Sequence, residues 1–139
     1  MKSEINAKWK GKMSFDVEVG DHKITLDASE QVGGENKGVR PKPLMMVALA
    51  GCTGMDVVSI LKKMRVEFDD LNIRVEGELT KEHPKQFHKM KVIYEFKGND
   101  LPMEKLQKAV NLSEERYCGV RASYDKAMEV SSEIVILDN

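Results

Sequence analysis

An almost uninterrupted apolar run, from Leu44 to Met55, is the feature that most limits how this chain can fold. Pro43 suits the first turn of a helix, and the apolar character continues past Asp56 to Met64. Because nearly every face of such a helix is apolar, we expect most of its length to be enclosed by protein. The uninterrupted run is too short to span a bilayer, so we expect no membrane-spanning segment.

Alternating apolar and polar residues on both sides of this helix predict strands. The first 28 residues predict three strands that form an antiparallel meander with one wet face. A polar, glycine-rich loop from Ser29 to Pro43 follows, and a loop of this length is often functional. After the helix come two strands, a helix behind Pro102, a shorter helix behind Cys118 and a final strand. The order β-β-β-α-β-β-α-α-β favours an α+β fold in one domain, residues 1–139.

Composition and charge exclude several classes of function. The formal net charge of −1 argues against nucleic acid as a partner, because phosphate binding requires a cationic surface. The N-terminal residues contain no apolar segment typical of a secretory signal, so we expect a cytoplasmic protein. His83 and His88 flank a turn, but no cysteine or carboxylate cluster accompanies them in the sequence, so we expect no metal ion and no cofactor. The charged run SEERY is expected to be solvated.

The chain has two cysteines, Cys52 in the apolar helix and Cys118 at a predicted helix break. Neither belongs to a CxxC motif, which excludes thioredoxin-like and zinc-ribbon sites. Two unrelated buried thiols are one interpretation. The other interpretation is a reactive thiol pair, and Gly51 and Gly54 favour it. Glycine is unfavourable inside a helix, so two glycines beside Cys52 indicate either close packing of another backbone or an opening to the sulfur. If the two helices meet, the thiols can form a reversible disulfide.

A reactive thiol pair of this kind would reduce a peroxide. The Cys52 thiolate attacks the O–O bond, the resulting sulfenic acid condenses with Cys118, and an external thiol restores the pair. The attacking thiol requires a nearby cation, whereas Asp56 on the same helix face would oppose it. We therefore expect Asp56 to be paired with a cation or to cap a neighbouring backbone. Four basic residues are candidates for the thiolate-stabilising cation: Arg40, Lys42, Arg116 and Arg121.

Methionines near Cys52 offer a further interpretation. Three of the nine methionines lie close to Cys52 along the helix: Met45, Met46 and Met55. Their soft, flexible side chains could line an apolar substrate pocket, although ordinary core filling is the simpler role.

Two segments carry a resemblance to a known family. The segment PKPLMMVALAGCTGMDVVSILKKM around Cys52 and the segment EERYCGV around Cys118 resemble the OsmC and organic hydroperoxide resistance family. The resemblance implies an OsmC-like fold, β3-α-β2-α2-β, and an intertwined homodimer with buried central helices. Three positions differ from the family pattern: no arginine precedes Arg40, Lys42 stands where the family has a glutamate, and Gly119 replaces a proline.

The resemblance also implies an activity, the thiol-dependent reduction of organic hydroperoxides. Cys52 would be the peroxidatic residue, Cys118 the resolving residue and a lipoyl-type dithiol the reductant. Two alternatives stay open at this point. One is a non-catalytic stress or ligand-binding protein on the same scaffold, and the other is a thiol redox sensor that forms the disulfide but turns over poorly.

Overall fold

Six strands and three α-helices follow one another in the predicted order in the computed structural model, which describes residues 1–138. A 3-10 turn, Glu30–Val32, and a π-helical segment, Ser113–Tyr117, complete the list of elements. The chain divides into two compact units, the first being Met1–Met45 and the second beginning at Met46. The predicted α+β class is therefore confirmed.

The first unit contains a three-stranded antiparallel sheet. Its strands are β1 (Asn6–Gly11), β2 (Ser14–Val19) and β3 (His22–Leu26), in the spatial order β1-β2-β3. The register pairs Trp9 with Phe15, so the apolar residues of neighbouring strands lie on one face. This arrangement confirms the predicted meander.

A buried carboxylate organises the loop that follows this sheet. Asp27 Oδ1 accepts a hydrogen bond from the N–H of Ala28 (2.7 Å), and Oδ2 accepts from Glu35 (3.2 Å) and Lys37 (3.1 Å). The N–H groups of Lys37 and Ala28 lower the pKa of Asp27, because they stabilise its charged form. The glycine-rich loop is thus folded around one side chain, which sequence reasoning did not identify.

Replacing Asp27 by asparagine should loosen this loop. The pKa of Asp27 is lowered in the folded state, so its contribution to stability is present above the unfolded pKa and is lost as the pH falls through the folded pKa. At neutral pH, a protease should cleave the variant faster than the wild type within residues 29–43. When acid unfolding is followed by the fluorescence of Trp9, the variant should lack the loss of stability that protonation of Asp27 causes in the wild type. Asp21→Asn in the exposed β2–β3 turn is the control. Identical proteolysis and acid unfolding in both variants would contradict this role.

The second unit is built on a second three-stranded sheet. Its strands are β4 (Asp70–Leu79), β5 (Phe87–Lys97) and β6 (Glu129–Ile136). The central strand β5 runs antiparallel to β4 and parallel to β6. A parallel neighbour requires a crossover connection, which the two short helices between β5 and β6 provide.

Helices cover the apolar face of this second sheet. They are α1 (Pro43–Lys63), α2 (Met103–Leu112) and α3 (Gly119–Asp125). Alternate residues of β5 enter one buried cluster with residues of α1 and α2, as the period of a strand requires. The members of this cluster from these three elements are Leu49, Val57, Leu61, Phe87, Met90, Val92, Tyr94, Phe96, Leu106, Ala109 and Val110.

The long helix α1 is less enclosed than its composition predicts. Only 22% of its most apolar 18-residue window is buried within one chain. The prediction that protein encloses most of the helix is therefore wrong for a single chain. The helix is also longer than the uninterrupted run. Within residues 1–138 it is long and apolar enough, by length and composition, to cross a membrane, which corrects the expectation based on the shorter run. Core helices of soluble proteins meet the same criterion, so this finding is weak evidence for a membrane span.

Candidate active site

The two cysteines meet in the second unit of the chain. Cys52 lies in the middle of α1, Cys118 directly precedes α3, and both are free thiols. Their Sγ atoms and a carboxylate oxygen of Asp56 all lie within 4.8 Å of one another. The interpretation of two unrelated thiols is therefore wrong, because residues far apart in the sequence form one cluster.

An interruption between two helices brings Cys118 to this cluster. The π-helical segment ends at Tyr117, and the backbone of the next residue, Cys118, is extended (φ −78°, ψ 101°). The N–H of Cys118 donates to Ser113 O at 2.7 Å, and its Sγ accepts a hydrogen bond from the N–H of Arg121 at 3.2 Å. The thiol thus caps the start of α3, and the predicted helix break at Cys118 is confirmed.

The two glycines beside Cys52 have different surroundings. Gly54 is buried, and a Cβ placed there would lie 3.2 Å from Ile73 Cγ1 of β4, which is tighter than ordinary van der Waals contact. Gly54 therefore permits close packing of α1 on the sheet. A Cβ at Gly51 would meet open space in the described part of the chain.

The carboxylate of Asp56 is paired, although its partner is not a cation. Its Oδ2 accepts a hydrogen bond of 2.9 Å from Ser113 Oγ, and Ser113 is fully buried. The pairing ties α1 to the end of α2 next to the two thiols. The partner differs from the expected cation or backbone group, because the donor is a side-chain hydroxyl group.

The two thiols differ in accessibility. Cys118 is only 3% exposed, whereas Cys52 is half-buried. Burial raises the pKa of Cys118 to about 11, and the neighbouring Cys52 adds to the increase, while the N–H of Arg121 opposes it. Cys118 is therefore a protonated thiol at neutral pH, and Cys52 is the sulfur that solvent reaches first.

A buried ion-pair network adjoins the cysteine cluster. Arg121 Nη1 lies 3.0 Å from Glu114 Oε2, and these side chains are only 13% and 11% exposed. Arg121 Nε donates to Asp125 Oδ1 at 2.9 Å, and Nη2 donates to Val130 O at 3.0 Å. The guanidinium group of this candidate cation is therefore committed to carboxylates and a carbonyl group.

Glu114 connects this network to the sheet. Its Oε1 accepts a hydrogen bond from Tyr94 Oη and its Oε2 accepts one from Ser132 Oγ, each at 3.1 Å. Burial, followed by the charge of Glu114, raises the pKa of the fully buried Tyr94. The expectation that the run SEERY is solvated is thus wrong for Ser113 and Glu114 and confirmed for Glu115, Arg116 and Tyr117. The π-helical turn changes which side chains face the sheet, and no pattern of residues indicated it.

The other three candidate cations are Arg40, Arg116 and Lys42. Arg40 Nη1 donates to Gly38 O at 3.1 Å. The guanidinium of Arg116 lies 5.9 Å from the ring centroid of Tyr117, which follows it in the chain. Lys42 is exposed just before α1. Their role as thiolate-stabilising cations stays a prediction.

The methionines near Cys52 also differ from one another. Met46 packs against the buried cluster of the second unit, while Met45 and Met55 are exposed. Met55 lines an apolar groove of about 690 Å³ between α1 and β4. The apolar residues that share this groove are Val58, Phe68, Leu71 and Ile73. Met55 is thus the methionine of the three that borders an open apolar space in the described structure.

The fold and the paired cysteines together define an OsmC-like protein, and comparisons with known proteins agree. The family model of OsmC-like proteins matches residues 34–133. Protein YhfA of Escherichia coli (strain K12) is 30% identical over 129 residues, which cover 92% of this chain and 93% of that protein.

Solved structures share the fold of this chain. A hypothetical protein from Aquifex aeolicus VF5 has a TM-score of 0.82 and 30% identity, covering 99% of each chain. The organic hydroperoxide resistance protein OhrB of Bacillus subtilis has a TM-score of 0.68 and 19% identity, covering 96% of this chain and 98% of its own, and so shows the fold alone. This chain belongs to the OsmC-like protein family.

Proposed function

We propose that this protein is a thiol-dependent peroxidase that reduces organic hydroperoxides. The observation that carries the proposal is the proximity of the two free cysteines, whose Sγ atoms lie within 4.8 Å of each other. Further support comes from the family and from a structural neighbour that is named an organic hydroperoxide resistance protein.

The reaction needs two steps at the sulfurs. The Cys52 thiolate attacks the outer oxygen of the hydroperoxide, the O–O bond breaks, and the alcohol leaves after taking up a proton. Cys52 is then a sulfenic acid. The sulfur of Cys118 displaces hydroxide from the sulfenic sulfur, and that hydroxide leaves as water with the Cys118 proton. A dithiol then reduces the disulfide by thiol exchange and is itself oxidised. A lipoyl-type dithiol is the proposed reductant.

The difference between the two thiols supports this division of roles. Cys52 is the more accessible sulfur, as the peroxidatic residue must be. Cys118 is buried, and its pKa is raised partly by Cys52 itself. Conversion of Cys52 to a sulfenic acid gives Cys118 an electrophilic sulfur to attack within the same cluster. Resolution is thereby favoured only once the peroxide has reacted.

A redox sensor is the second candidate function, and one observation favours it. Burial holds the pKa of Cys118 at about 11, which keeps the resolving thiol largely protonated and slows repeated cycles. The two candidates differ in the equivalents of cumene hydroperoxide consumed per chain in excess dihydrolipoamide. An enzyme consumes many equivalents and a sensor consumes about one. A non-catalytic ligand-binding protein consumes none.

We also propose that α1 is covered by a second copy of the chain, forming a homodimer. The support is the exposed apolar surface of α1, where Met55 is 76% exposed and Val47 and Val58 are exposed as well. A surface of this kind on a helix otherwise packed in a core is typical of an interface.

Replacing Met55 by glutamate should dissociate this dimer, because a charge buried in an apolar interface without a partner costs several kcal/mol, about 3–5 by analogy with broken buried ion pairs. Sedimentation velocity at matched concentration should show a dimer for the wild type and a monomer for Met55→Glu. Met103→Glu, an exposed methionine on α2, is the control and should remain dimeric. A wild-type protein that sediments as a folded monomer, or that requires detergent to stay in solution, would refute the homodimer.

A cytoplasmic location and a single domain complete the proposal. The proposed thiol cycle needs an external dithiol to reduce the disulfide, and such reductants act in a reducing compartment such as the cytoplasm. The family model spans residues on both sides of the boundary between the two units, which supports one evolutionary domain over residues 1–139.

A further inference from the structure

The peroxidase proposal uses the two sulfurs of the cluster and leaves its third member unexplained. Asp56 lies four residues after Cys52 on the same face of α1, and its carboxylate oxygen is within 4.8 Å of both sulfurs. The two steps of the peroxidase reaction take place at the sulfurs and use no carboxylate.

The same three groups are well suited to a metal ion. A tetrahedral Zn²⁺ ion has Zn–S distances of about 2.3 Å and Zn–O distances of about 2.0–2.2 Å, so its ligand atoms are about 3.3–3.8 Å apart. The three atoms here lie within 4.8 Å of one another, so small side-chain movements bring them to that geometry. Thiolates select zinc and similar ions over magnesium and calcium.

Hydrogen bonds already orient two of the three groups. Ser113 Oγ donates to Asp56 Oδ2 at 2.9 Å, which leaves Oδ1 available as a ligand. The N–H of Arg121 donates to Cys118 Sγ at 3.2 Å. Hydrogen-bond partners of this kind fix the direction of metal ligands, and their loss lowers the affinity for the metal by about 10–100-fold.

We propose that Cys52 Sγ, Cys118 Sγ and the carboxylate of Asp56 form a binding site for one Zn²⁺ ion per chain, with the fourth position open to water. Binding releases the two thiol protons and involves no oxidation. The positive ion also relieves the repulsion among three groups that are anionic when ionised. Asp56 thereby gains the role that the peroxide chemistry does not give it.

Metal binding and disulfide formation exclude each other at this site. The disulfide removes both sulfur ligands, and a bound ion occupies the electron pair with which Cys52 attacks a peroxide. When the thiol pair is oxidised by a hydroperoxide, two electrons pass to the O–O bond and the ion is released. Zinc therefore inhibits the proposed peroxidase, and peroxide in excess expels zinc.

Titration of the protein with Co²⁺ tests the site directly. Protein reduced with a phosphine, in thiol-free buffer, should bind one Co²⁺ per chain with a near-ultraviolet thiolate-to-cobalt absorption band, and Zn²⁺ should displace it. Two protons should be released per Zn²⁺. Cys118→Ser should lose about half of the charge-transfer absorption, since one of two thiolates is absent. Asp56→Asn should keep the absorption of both thiolates and bind Zn²⁺ at least about 10-fold more weakly in competition with a chelator.

Glu115→Gln, an exposed carboxylate in the adjacent π-helical segment, is the matched control and should bind like the wild type. Circular dichroism checks that every variant is folded. Failure of the reduced wild type to bind Co²⁺ with a thiolate band would overturn the site, and equal Zn²⁺ affinity in Asp56→Asn and wild type would overturn the role of Asp56. No peroxide is used, so this proposal and the peroxidase proposal fail independently.

Discussion

Replacing Cys52 by serine is expected to reduce peroxide consumption to the uncatalysed rate. The hydroxyl group of serine has nearly the shape of the thiol but does not ionise near neutral pH, so no nucleophile remains to attack the O–O bond. Cys118 does not take over the attack, because it is 3% exposed and its pKa is raised to about 11. The measurement is the steady-state loss of cumene hydroperoxide in the presence of excess dihydrolipoamide.

Cys118→Ser separates the first step from the second. The first equivalent of peroxide should react about as fast as in the wild type, because Cys52 is intact. Turnover should then stop or proceed slowly through direct attack by the dithiol. Ser59→Ala, an exposed position on α1, is the control and should turn over normally. Full turnover in folded Cys52→Ser would contradict the assignment of the peroxidatic residue.

Removing the carboxylate of Glu114 is expected to cost about 3–5 kcal/mol in the free energy of unfolding. The loss arises because Arg121 stays buried with one of its two carboxylate partners absent, and because Tyr94 Oη and Ser132 Oγ lose their acceptor. In a Glu114→Leu variant the side-chain volume changes little, so the change in the free energy of unfolding reports mainly the lost carboxylate. Urea unfolding at pH 7, followed by circular dichroism, provides the measurement.

A second substitution distinguishes an unpaired charge from lost packing. The double variant Glu114→Leu, Arg121→Met should recover the part of the lost stability that comes from the unpaired charge of Arg121, since an apolar pair can replace a buried ion pair at little cost. The part that comes from the lost acceptor of Tyr94 Oη and Ser132 Oγ should remain. Glu115→Leu, at the exposed neighbouring position, should change stability by no more than about 0.5 kcal/mol. If Glu114→Leu is as stable as Glu115→Leu, the network does not stabilise the fold.

The element order was predictable because it depends on short-range patterns. Period-two alternation identified the strands, the apolar run identified α1, and Cys118 followed by Gly119 identified the helix break. Each of these signals lies within a few residues of the element that it predicts. The resemblance to the OsmC family added the pairing of two distant cysteines, which no local pattern contains.

The remaining features depend on contacts that are distant in the sequence. Glu114 is buried because a π-helical turn points it towards Tyr94 and Arg121, whereas the two residues that follow it, Glu115 and Arg116, are charged and exposed. Asp27 is buried because backbone N–H groups eight and ten residues away converge on it. The exposure of α1 in one chain also escaped prediction, because an apolar composition does not tell which surface covers a helix.

The most direct test of the proposed peroxidase is the intact mass of the reduced protein after one equivalent of cumene hydroperoxide, measured beside Cys118→Ser. The wild type should lose two hydrogen atoms as the disulfide between Cys52 and Cys118 forms. Cys118→Ser should gain one oxygen atom, because the Cys52 sulfenic acid has no resolving partner. An unchanged mass in both proteins would show that the paired thiols do not react with the peroxide and would contradict the proposed function.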